Sequence, residues 1–399
     1  MQVLLFSVTL SITIAIVGWE RRKLTHILIA YVSLVVSLMI AEAALRRATL
    51  PPPGNDKLIR FDEALGWRFV PNAEEVVECS DYCHWVKINS EGWRDKQHES
   101  SDRGAAPLVA VLGDSFVSNL GVHDSEVFTR IMDTQFGPDV TVRNFGVNGF
   151  GQVQELLLLG QILDSYRPTV VVVFVYVRND FDDNHGQFDW NRGLHRPQVR
   201  ETANGGLEII KPTKPAPMPT PTSIQRIHRA IKGTALHCAV RRVFIERMLE
   251  DVPIHEQPPE HRYCKEEIGQ LEKRALEITG LLVRQMGEKC EEKGVQFGVV
   301  VAPTLWQVRH DQWQRLIRSS EVNPAEYDRR KPQDVLMKVC SDAEIPCLDL
   351  LPILESCADK DMTLYHDAEQ HWNTEGNRHV ARAVASWLQQ HEFLVRPHE

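Results

Sequence analysis

A serine and a histidine, far apart in the sequence, have the surroundings that nucleophilic catalysis requires. Ser115 follows the short apolar run 108–112, a glycine and an aspartate, so its hydroxyl comes just after the end of a predicted strand. His371 lies in a polar run that also contains two carboxylates, Asp367 and Glu369. A serine becomes a good nucleophile when an imidazole takes its proton and a carboxylate orients that imidazole. Taken singly, an Asp-Ser pair is also a common helix N-cap, and the histidine run is also a common polar loop.

Two further residues could donate hydrogen bonds to an oxyanion. Gly149 follows the run 140–145, and Asn179 follows the long apolar run 169–177. A glycine lets its N–H group approach a ligand closely, and an asparagine amide donates without carrying charge. Because the carboxyl ends of parallel strands meet at one edge of a sheet, Ser115, Gly149 and Asn179 are expected there together. Such N–H groups are the donors that an acyl-transfer oxyanion requires.

These blocks, in this order, resemble those of the SGNH (GDSL-like) hydrolase superfamily. The family has Gly-Asp-Ser in its first block, a glycine in its second and an asparagine in its third, matching Ser115, Gly149 and Asn179. Its last block contains the catalytic histidine, matching His371. The resemblance implies hydrolysis through an acyl-serine, with an oxyanion hole formed by the first two backbone N–H groups and the asparagine side chain. The segment ahead of these blocks resembles that of membrane-anchored bacterial members.

Two positions depart from the family pattern. The third block usually has a glycine two residues before the asparagine, where this chain has Val177. The acid usually stands three residues before the histidine, where this chain has Ala368. Glu369, two residues before His371, is our first choice for the acid, because it resembles the Asp-x-His-Trp variant of polysaccharide acetylation proteins. Asp367 is the alternative acid, and a Ser-His dyad without a fixed acid is the third possibility.

The alternation of strand and helix patterns predicts the fold that would hold these residues. Residues 107–395 are expected to form a three-layer α/β/α sandwich with a mainly parallel sheet, of the SGNH or flavodoxin-like kind. The predicted strands are 108–112, 140–145, 169–177, 295–302 and 345–351, and the predicted helices are 152–166, 264–293 and 377–390. A segment at about 186–263, rich in proline, threonine and glycine at its start, is predicted to be an insert, either a lid or a surface loop.

The first 50 residues are predicted to be a membrane anchor. Residues 2–19 are uncharged and almost wholly apolar, and 24–45 is a second apolar run behind a basic segment. A helix of about 18 residues spans roughly 27 Å, close to the ~30 Å hydrocarbon core, so one or two N-terminal transmembrane helices are expected. The basic segment 21–23 predicts an extracytoplasmic catalytic domain, periplasmic or at the cell surface. Residues 51–106 are predicted to be a proline-rich linker and a small β-rich lead-in.

Composition narrows the classes of partner and cofactor. A formal net charge of -9 leaves no basic stripe to neutralise phosphates, so no nucleic-acid partner is expected. The eight cysteines, even in number, permit disulfides in an oxidising compartment. We expect no metal or organic cofactor, because the serine, the histidine and the N–H donors supply the chemistry themselves. Asp180, Asp182 and Asp183 are interpreted as solvated loop carboxylates and not as a cation site.

Three functions are compatible with these residues. The first is a serine esterase that hydrolyses O-acyl esters, first of all O-acetyl esters, on an extracytoplasmic glycan or a related substrate. The second is a cell-surface polysaccharide O-acetyltransferase that uses the same serine and histidine and needs an acyl-donor partner. The third is a catalytically silent surface binding protein that keeps the scaffold.

Overall fold

The computed structural model describes residues 21–49, 58–79, 81–98, 106–185, 196–202, 207–213, 262–319, 322–358 and 363–394. The strands in this part of the chain are β1 (Ile59–Asp62), β2 (Gly66–Phe69), β3 (Glu74–Glu78), β4 (Cys83–Lys87), β5 (Leu108–Leu112), β6 (Thr141–Asn144), β7 (Val170–Tyr176), β8 (Gln198–Glu201), β9 (Leu207–Ile210), β10 (Gln296–Ala302) and β11 (Cys347–Asp349). The helices are α1 (Arg21–Thr49), α2 (Ser115–Ser118), α3 (Phe128–Phe136), α4 (Gln152–Tyr166), α5 (Asp180–His185), α6 (Gln270–Glu292), α7 (Leu305–Val308), α8 (His310–Ser319), α9 (Lys331–Asp342), α10 (Leu351–Ala358) and α11 (Thr374–Gln390).

A five-stranded sheet forms the centre of the fold. Its strand order is β11-β10-β7-β5-β6, and every neighbouring pair in it is parallel. The middle strand β7 is buried along all of its length. An unbroken run of valine and aromatic residues is typical of a parallel strand that is covered on both faces. This mainly parallel sheet fits the predicted α/β/α sandwich.

Alternate residues of β7 enter different apolar clusters on the two faces of the sheet. Val171, Val173 and Val175 pack in one cluster with α4 and α6, and Val172 and Phe174 pack in the other with α3 and α11. Because successive side chains of a strand point to opposite faces, one strand contributes to both layers of helices. The loops after β5, β6 and β7 all leave the same edge of the sheet, which is where open α/β folds bind ligands.

Three two-stranded antiparallel sheets accompany the central sheet. Two of them, β1-β2 and β3-β4, form the predicted β-rich lead-in. Trp67 of β2 is fully buried and its Nε1 donates to the carbonyl oxygen of Asn148 at 2.9 Å, so the lead-in is packed on the loop after β6. The third, β8-β9, lies in the predicted insert, most of which is outside the described residues. The domain boundaries at residues 50, 106 and 395 stay a prediction.

The prediction of N-terminal transmembrane helices is wrong where the structure describes the chain. Helix α1 covers the second predicted span, and it belongs to a compact unit separate from the residues that begin at Leu58. Within the described residues no helix is both long and apolar enough to cross a membrane. The sequence of α1 begins with three basic residues and has a glutamate and two arginines near its end. The first predicted span, 2–19, lies outside the described residues, and the extracytoplasmic location stays a prediction.

Candidate active site

Ser115 follows β5 and is the first residue of the short helix α2. Asp114 caps this helix, because its carboxylate accepts a hydrogen bond from Phe116 N at 2.8 Å. The other Asp114 carboxylate oxygen lies 3.3 Å from the Ser115 hydroxyl. Burial raises the pKa of the Asp114 carboxyl to about 6. The capping role that the sequence left open therefore falls to Asp114, and the Ser115 side chain is available for chemistry.

His371 lies beside Ser115 in the fold, although the two are 256 residues apart in the sequence. Its Nε2 lies 2.8 Å from the Ser115 hydroxyl oxygen, which is an ordinary hydrogen-bond length. The next residue, Trp372, is fully buried, and its carbonyl oxygen accepts hydrogen bonds from Asn119 Nδ2 and Asn377 Nδ2, each at 3.1 Å. Asn119 ends α2 and Asn377 belongs to α11. These two amides tie the histidine loop to the helix of the serine and to the last helix of the domain.

Glu369 is the carboxylate that faces the second imidazole nitrogen. Its Oε2 lies 3.6 Å from His371 Nδ1, which is ion-pair distance but longer than a hydrogen bond. His371 Nδ1 is buried and, among the residues that the structure describes, has no hydrogen-bond partner. Asp367 makes neither a hydrogen bond nor an ion pair with His371 within the described residues. A movement of about 0.7 Å would bring Glu369 to ordinary hydrogen-bond length from the imidazole.

The surroundings of His371 favour its neutral form. Burial lowers the pKa of the imidazole, whereas the negative charge of Glu369 raises that pKa and the positive charge of Arg178 lowers it. The aromatic ring of Phe116 covers the imidazole, with ring centroids 4.8 Å apart. A general base must be unprotonated to accept a proton, so a lowered pKa suits His371 to that role near neutral pH.

The three predicted oxyanion donors differ in whether they already donate a hydrogen bond. Gly149 has a φ of +75°, in the left-handed region that favours glycine. Within the described residues, no hydrogen bond occupies the backbone N–H of Ser115 or of Gly149. The Asn179 amide, by contrast, donates to Asp183 at 2.9 Å and to Asp180 at 3.2 Å. Since the amide nitrogen carries two hydrogens, an oxyanion that bound there would displace the longer of these contacts.

The aspartates that follow β7 are buried, so their interpretation as solvated loop carboxylates is wrong. Asp180 is fully buried and accepts a hydrogen bond from Gln152 Nε2 at 2.7 Å. Asp183 is also buried and forms an ion pair with Arg196, although burial still raises the pKa of its carboxyl to about 6. In the described part of the chain, no group of three or more His, Cys, Asp or Glu residues could hold a metal ion. These carboxylates instead anchor the segment that carries Asn179.

Sequence reasoning missed the residues that surround the histidine loop. The Tyr82 hydroxyl donates a hydrogen bond of 2.6 Å to Glu369, from a position 287 residues earlier in the chain. Arg178 donates to the side-chain oxygen of Gln370 at 3.0 Å. No local pattern in one sequence indicates contacts between segments so far apart, and only the folded chain brings them together.

A family model matches the carboxyl-terminal third of this chain. Residues 263–398 are similar to the family described as SGNH hydrolase-like domain, acetyltransferase AlgX. The match includes Glu369 and His371, and it supports the SGNH resemblance of the block that contains the histidine. The match does not include Ser115, Gly149 and Asn179. Their position follows from the fold alone, because they come after β5, β6 and β7 at one edge of the sheet. No curated protein matches the chain.

The chain is similar to several solved structures at a low level. The psychrotrophic esterase EstA from Pseudoalteromonas sp. is 10% identical, with 71% of this chain and 98% of that chain covered and a TM-score of 0.34. The acetyl xylan esterase AlAXEase is 13% identical, with 70% and 98% covered and a TM-score of 0.37. A member of the lipolytic protein G-D-S-L family from Veillonella parvula is 12% identical, with 70% and 97% covered and a TM-score of 0.34. Likenesses at this level carry no argument about activity.

Proposed function

We propose that this protein is a serine esterase that cleaves O-acyl esters, with Ser115 as nucleophile and His371 as general base. The observation that carries the proposal is the 2.8 Å distance between the Ser115 hydroxyl oxygen and His371 Nε2. This pair lies where β5 ends, at the edge of a parallel sheet that is the usual ligand-binding edge. A neutral imidazole at hydrogen-bond distance from a serine hydroxyl is the arrangement that activates the hydroxyl for acyl transfer.

In the first half of the reaction, Ser115 Oγ attacks the ester carbonyl carbon while His371 Nε2 takes the hydroxyl proton. The new bond joins Oγ to carbon, and the carbonyl electron pair moves to the oxygen, which becomes an oxyanion. The backbone N–H groups of Ser115 and Gly149 would bind this oxyanion, with the Asn179 amide as a third donor. Glu369 stabilises the imidazolium, which then gives its proton to the departing alkoxide as the original ester bond breaks.

The second half of the reaction releases the acyl group from Ser115. His371 takes a proton from water, and the water oxygen attacks the acyl carbon to form a second tetrahedral oxyanion at the same donors. The bond between carbon and Ser115 Oγ breaks, and the imidazolium returns its proton to the serine. The products are the carboxylic acid and the restored hydroxyl, so the cycle needs no further reactant.

The acyl group that we propose is acetyl, carried on a carbohydrate hydroxyl. The support is the description of the matched family as an acetyltransferase, over a stretch that contains Glu369 and His371. That description also favours a second candidate function, transfer of the acetyl group to a carbohydrate. The two functions share the acyl-serine and differ only in whether water or a sugar hydroxyl accepts the acyl group. A transferase would need an acyl-donor partner.

The experiment that tests the proposal compares p-nitrophenyl acetate turnover by wild type, Ser115→Ala and His371→Ala. We expect both variants to lose roughly 10³-fold or more in kcat, because the two residues act as a unit. Ser356→Ala is the matched control, because Ser356 lies exposed on α10 and its hydroxyl donates to the carbonyl oxygen of Ile353 in the same helix. A wild type that turns over no faster than Ser115→Ala would contradict the esterase proposal and leave a dedicated transferase or a silent binding protein.

Hydrolysis and transfer are separated by adding an oligosaccharide acceptor to the same assay. A hydrolase releases acetate at the same rate with or without the sugar. A transferase instead produces an acetylated sugar, detected by mass spectrometry, and its acetate release falls. Formation of acetyl-sugar that requires Ser115 would favour the second candidate over the first.

A further inference from the structure

The turn between β3 and β4 lies against the loop that carries His371. The Tyr82 hydroxyl donates a hydrogen bond of 2.6 Å to Glu369 Oε2, the same oxygen that faces His371 Nδ1. Hydrogen bonds from a hydroxyl to an ionised carboxylate are short, and they are roughly twice as strong as bonds between neutral groups. Burial and the bond to Glu369 both raise the pKa of the Tyr82 hydroxyl well above its ordinary value. The Tyr82 hydroxyl therefore keeps its proton at neutral pH and can donate it to Glu369.

Asp81, on the same turn, holds the backbone of the histidine loop. Its Oδ2 accepts hydrogen bonds from Ala368 N at 2.8 Å and from Glu369 N at 3.1 Å. Ala368 occupies the position at which the SGNH pattern has its acid, so these bonds fall where this chain departs from that pattern. The loop is closed by Gln370, which has a φ of +61° and donates its backbone N–H to the carbonyl oxygen of His366 at 3.0 Å. Asp81 thus fixes the peptide from which the Glu369 side chain extends.

The Tyr82 ring packs closely against Gly121 and His366. A Cβ built on Gly121 would lie 3.1 Å from a carbon of the Tyr82 ring and 3.3 Å from a carbon of the His366 ring, closer than ordinary van der Waals contact. The two rings lie with centroids 5.0 Å apart, and His366 Nε2 is 3.0 Å from the carbonyl oxygen of Gly121. Packing therefore fixes Tyr82 without help from its bond to Glu369.

We infer that Asp81 and Tyr82 are positioning residues that hold Glu369 beside His371, an inference that rests on the proposed function. The Glu369 side chain is 40% exposed and lies 3.6 Å from the imidazole, so the histidine alone does not fix it. A solvent-exposed glutamate spreads over many rotamers unless contacts restrict it. The hydroxyl of Tyr82 and the carboxylate of Asp81 supply those contacts. The turn between β3 and β4 therefore contributes to the active site.

An opposite role for Tyr82 makes a distinguishable prediction. Tyr82 could draw Glu369 away from the imidazole, in which case loss of the hydroxyl would speed the reaction. The charged groups that act on His371 are Glu369, which raises its pKa, and Arg178 and His366, which lower it. If Tyr82 holds Glu369 in place, removing the hydroxyl weakens the influence of the Glu369 charge, which raises the pKa of His371, and the acid limb of the kcat/KM profile moves to lower pH. If Tyr82 draws Glu369 away, the same limb moves to higher pH.

The test measures kcat and KM for p-nitrophenyl acetate across the pH range in the full chain. Tyr82→Phe keeps the ring in its place and is expected to lower kcat about 5- to 20-fold, with KM little changed. Asp81→Ala is expected to lose a similar factor, and Asp81→Asn, which keeps an acceptor oxygen, is expected to recover most of it. Tyr166→Phe is the matched control, because that hydroxyl accepts its bond from Trp93 in the apolar cluster that contains α4 and α6. In the described part of the chain it forms no hydrogen bond with the histidine loop.

A double substitution separates positioning from general loss of structure. If the Tyr82 hydroxyl acts through Glu369, adding Tyr82→Phe to Glu369→Gln costs little further activity. Independent, additive losses, or a faster Tyr82→Phe enzyme, would overturn the inference. A wild type with Ser115-dependent turnover and a Tyr82→Phe variant equal to it would overturn the inference alone. A wild type without Ser115-dependent turnover would overturn the proposed function and the inference together.

Discussion

Replacing Glu369 by glutamine removes the negative charge nearest to the imidazole and keeps the shape of the side chain. The carboxylate oxygen lies 3.6 Å from His371 Nδ1. Two unit charges at this separation attract by about 1 kcal/mol in water and by about 5 kcal/mol at an effective dielectric constant of about 20. Because the Glu369 side chain is 40% exposed, solvent screens its charge. We therefore expect the transition state to lose about 1–3 kcal/mol, which is on the order of a 5- to 150-fold decrease in kcat/KM.

The assay is kcat/KM for p-nitrophenyl acetate, measured at a pH where the imidazole of the wild type is neutral. Asp367→Asn is the matched control, because it removes one exposed charge from the same loop without touching a bond to His371. That control is expected to stay within about twofold of the wild type. If Asp367→Asn lost activity and Glu369→Gln did not, the alternative acid would be the right one. If neither variant lost activity, the site would be a Ser-His dyad.

Three other properties can be tested in the same way. Glu155 is fully buried without a hydrogen bond to either carboxylate oxygen in the described structure, and burial raises its pKa well above the ordinary value. Folding therefore takes up a proton, and the free energy of unfolding falls as the pH rises above about 4.5, by up to ~1.4 kcal/mol per pH unit. When the free energy of unfolding is measured with urea, Glu155→Gln should show a smaller fall than the wild type between about pH 5 and about pH 7. An equal fall in the two proteins would contradict this. Asn179→Ala should lower kcat by about 10²- to 10³-fold with KM little changed, whereas a loss under about threefold would mean that its amide stays bound to the neighbouring carboxylates. The kcat/KM profile should rise with pH through the lowered pKa of His371 and be level by about pH 7, and a midpoint above that would refute the neutral base.

The central strands and helices could be predicted because their local patterns are strong. The apolar run 169–177 contains β7, and the predicted helix 152–166 has the same bounds as α4. The three helices between β10 and β11 were not predicted, since they are short and prolines interrupt the stretch. For α8, however, the spacing of Trp313, Leu316 and Ile317, all buried, carried a signal that could have indicated the helix. The N-terminal prediction rested on two apolar runs and the basic segment between them, and among the described residues no helix is long and apolar enough to cross a membrane.

The site could be predicted in part. Residues in local sequence motifs could be predicted, whereas residues whose role depends on loop conformation or tertiary packing could not. Ser115 and His371 lie in local blocks whose residue types indicate chemistry, and the fold brings the two together at 2.8 Å. The choice between Glu369 and Asp367 depends on the conformation of the loop, in which Gln370 has a positive φ, and no periodic pattern indicates that conformation. The contact with Tyr82 depends on tertiary packing across 287 residues. Their catalytic roles stay predictions that the experiments above can test.

The most direct measurement of the central claim is covalent labelling of the full chain with a fluorophosphonate, followed by peptide mass spectrometry. An activated serine displaces fluoride from this reagent and keeps the phosphonyl group on its oxygen. The acyl-serine mechanism predicts one adduct per chain, on Ser115, absent from Ser115→Ala and formed much more slowly in His371→Ala. A wild type that stays unlabelled, or an adduct on a different serine, would contradict the mechanism.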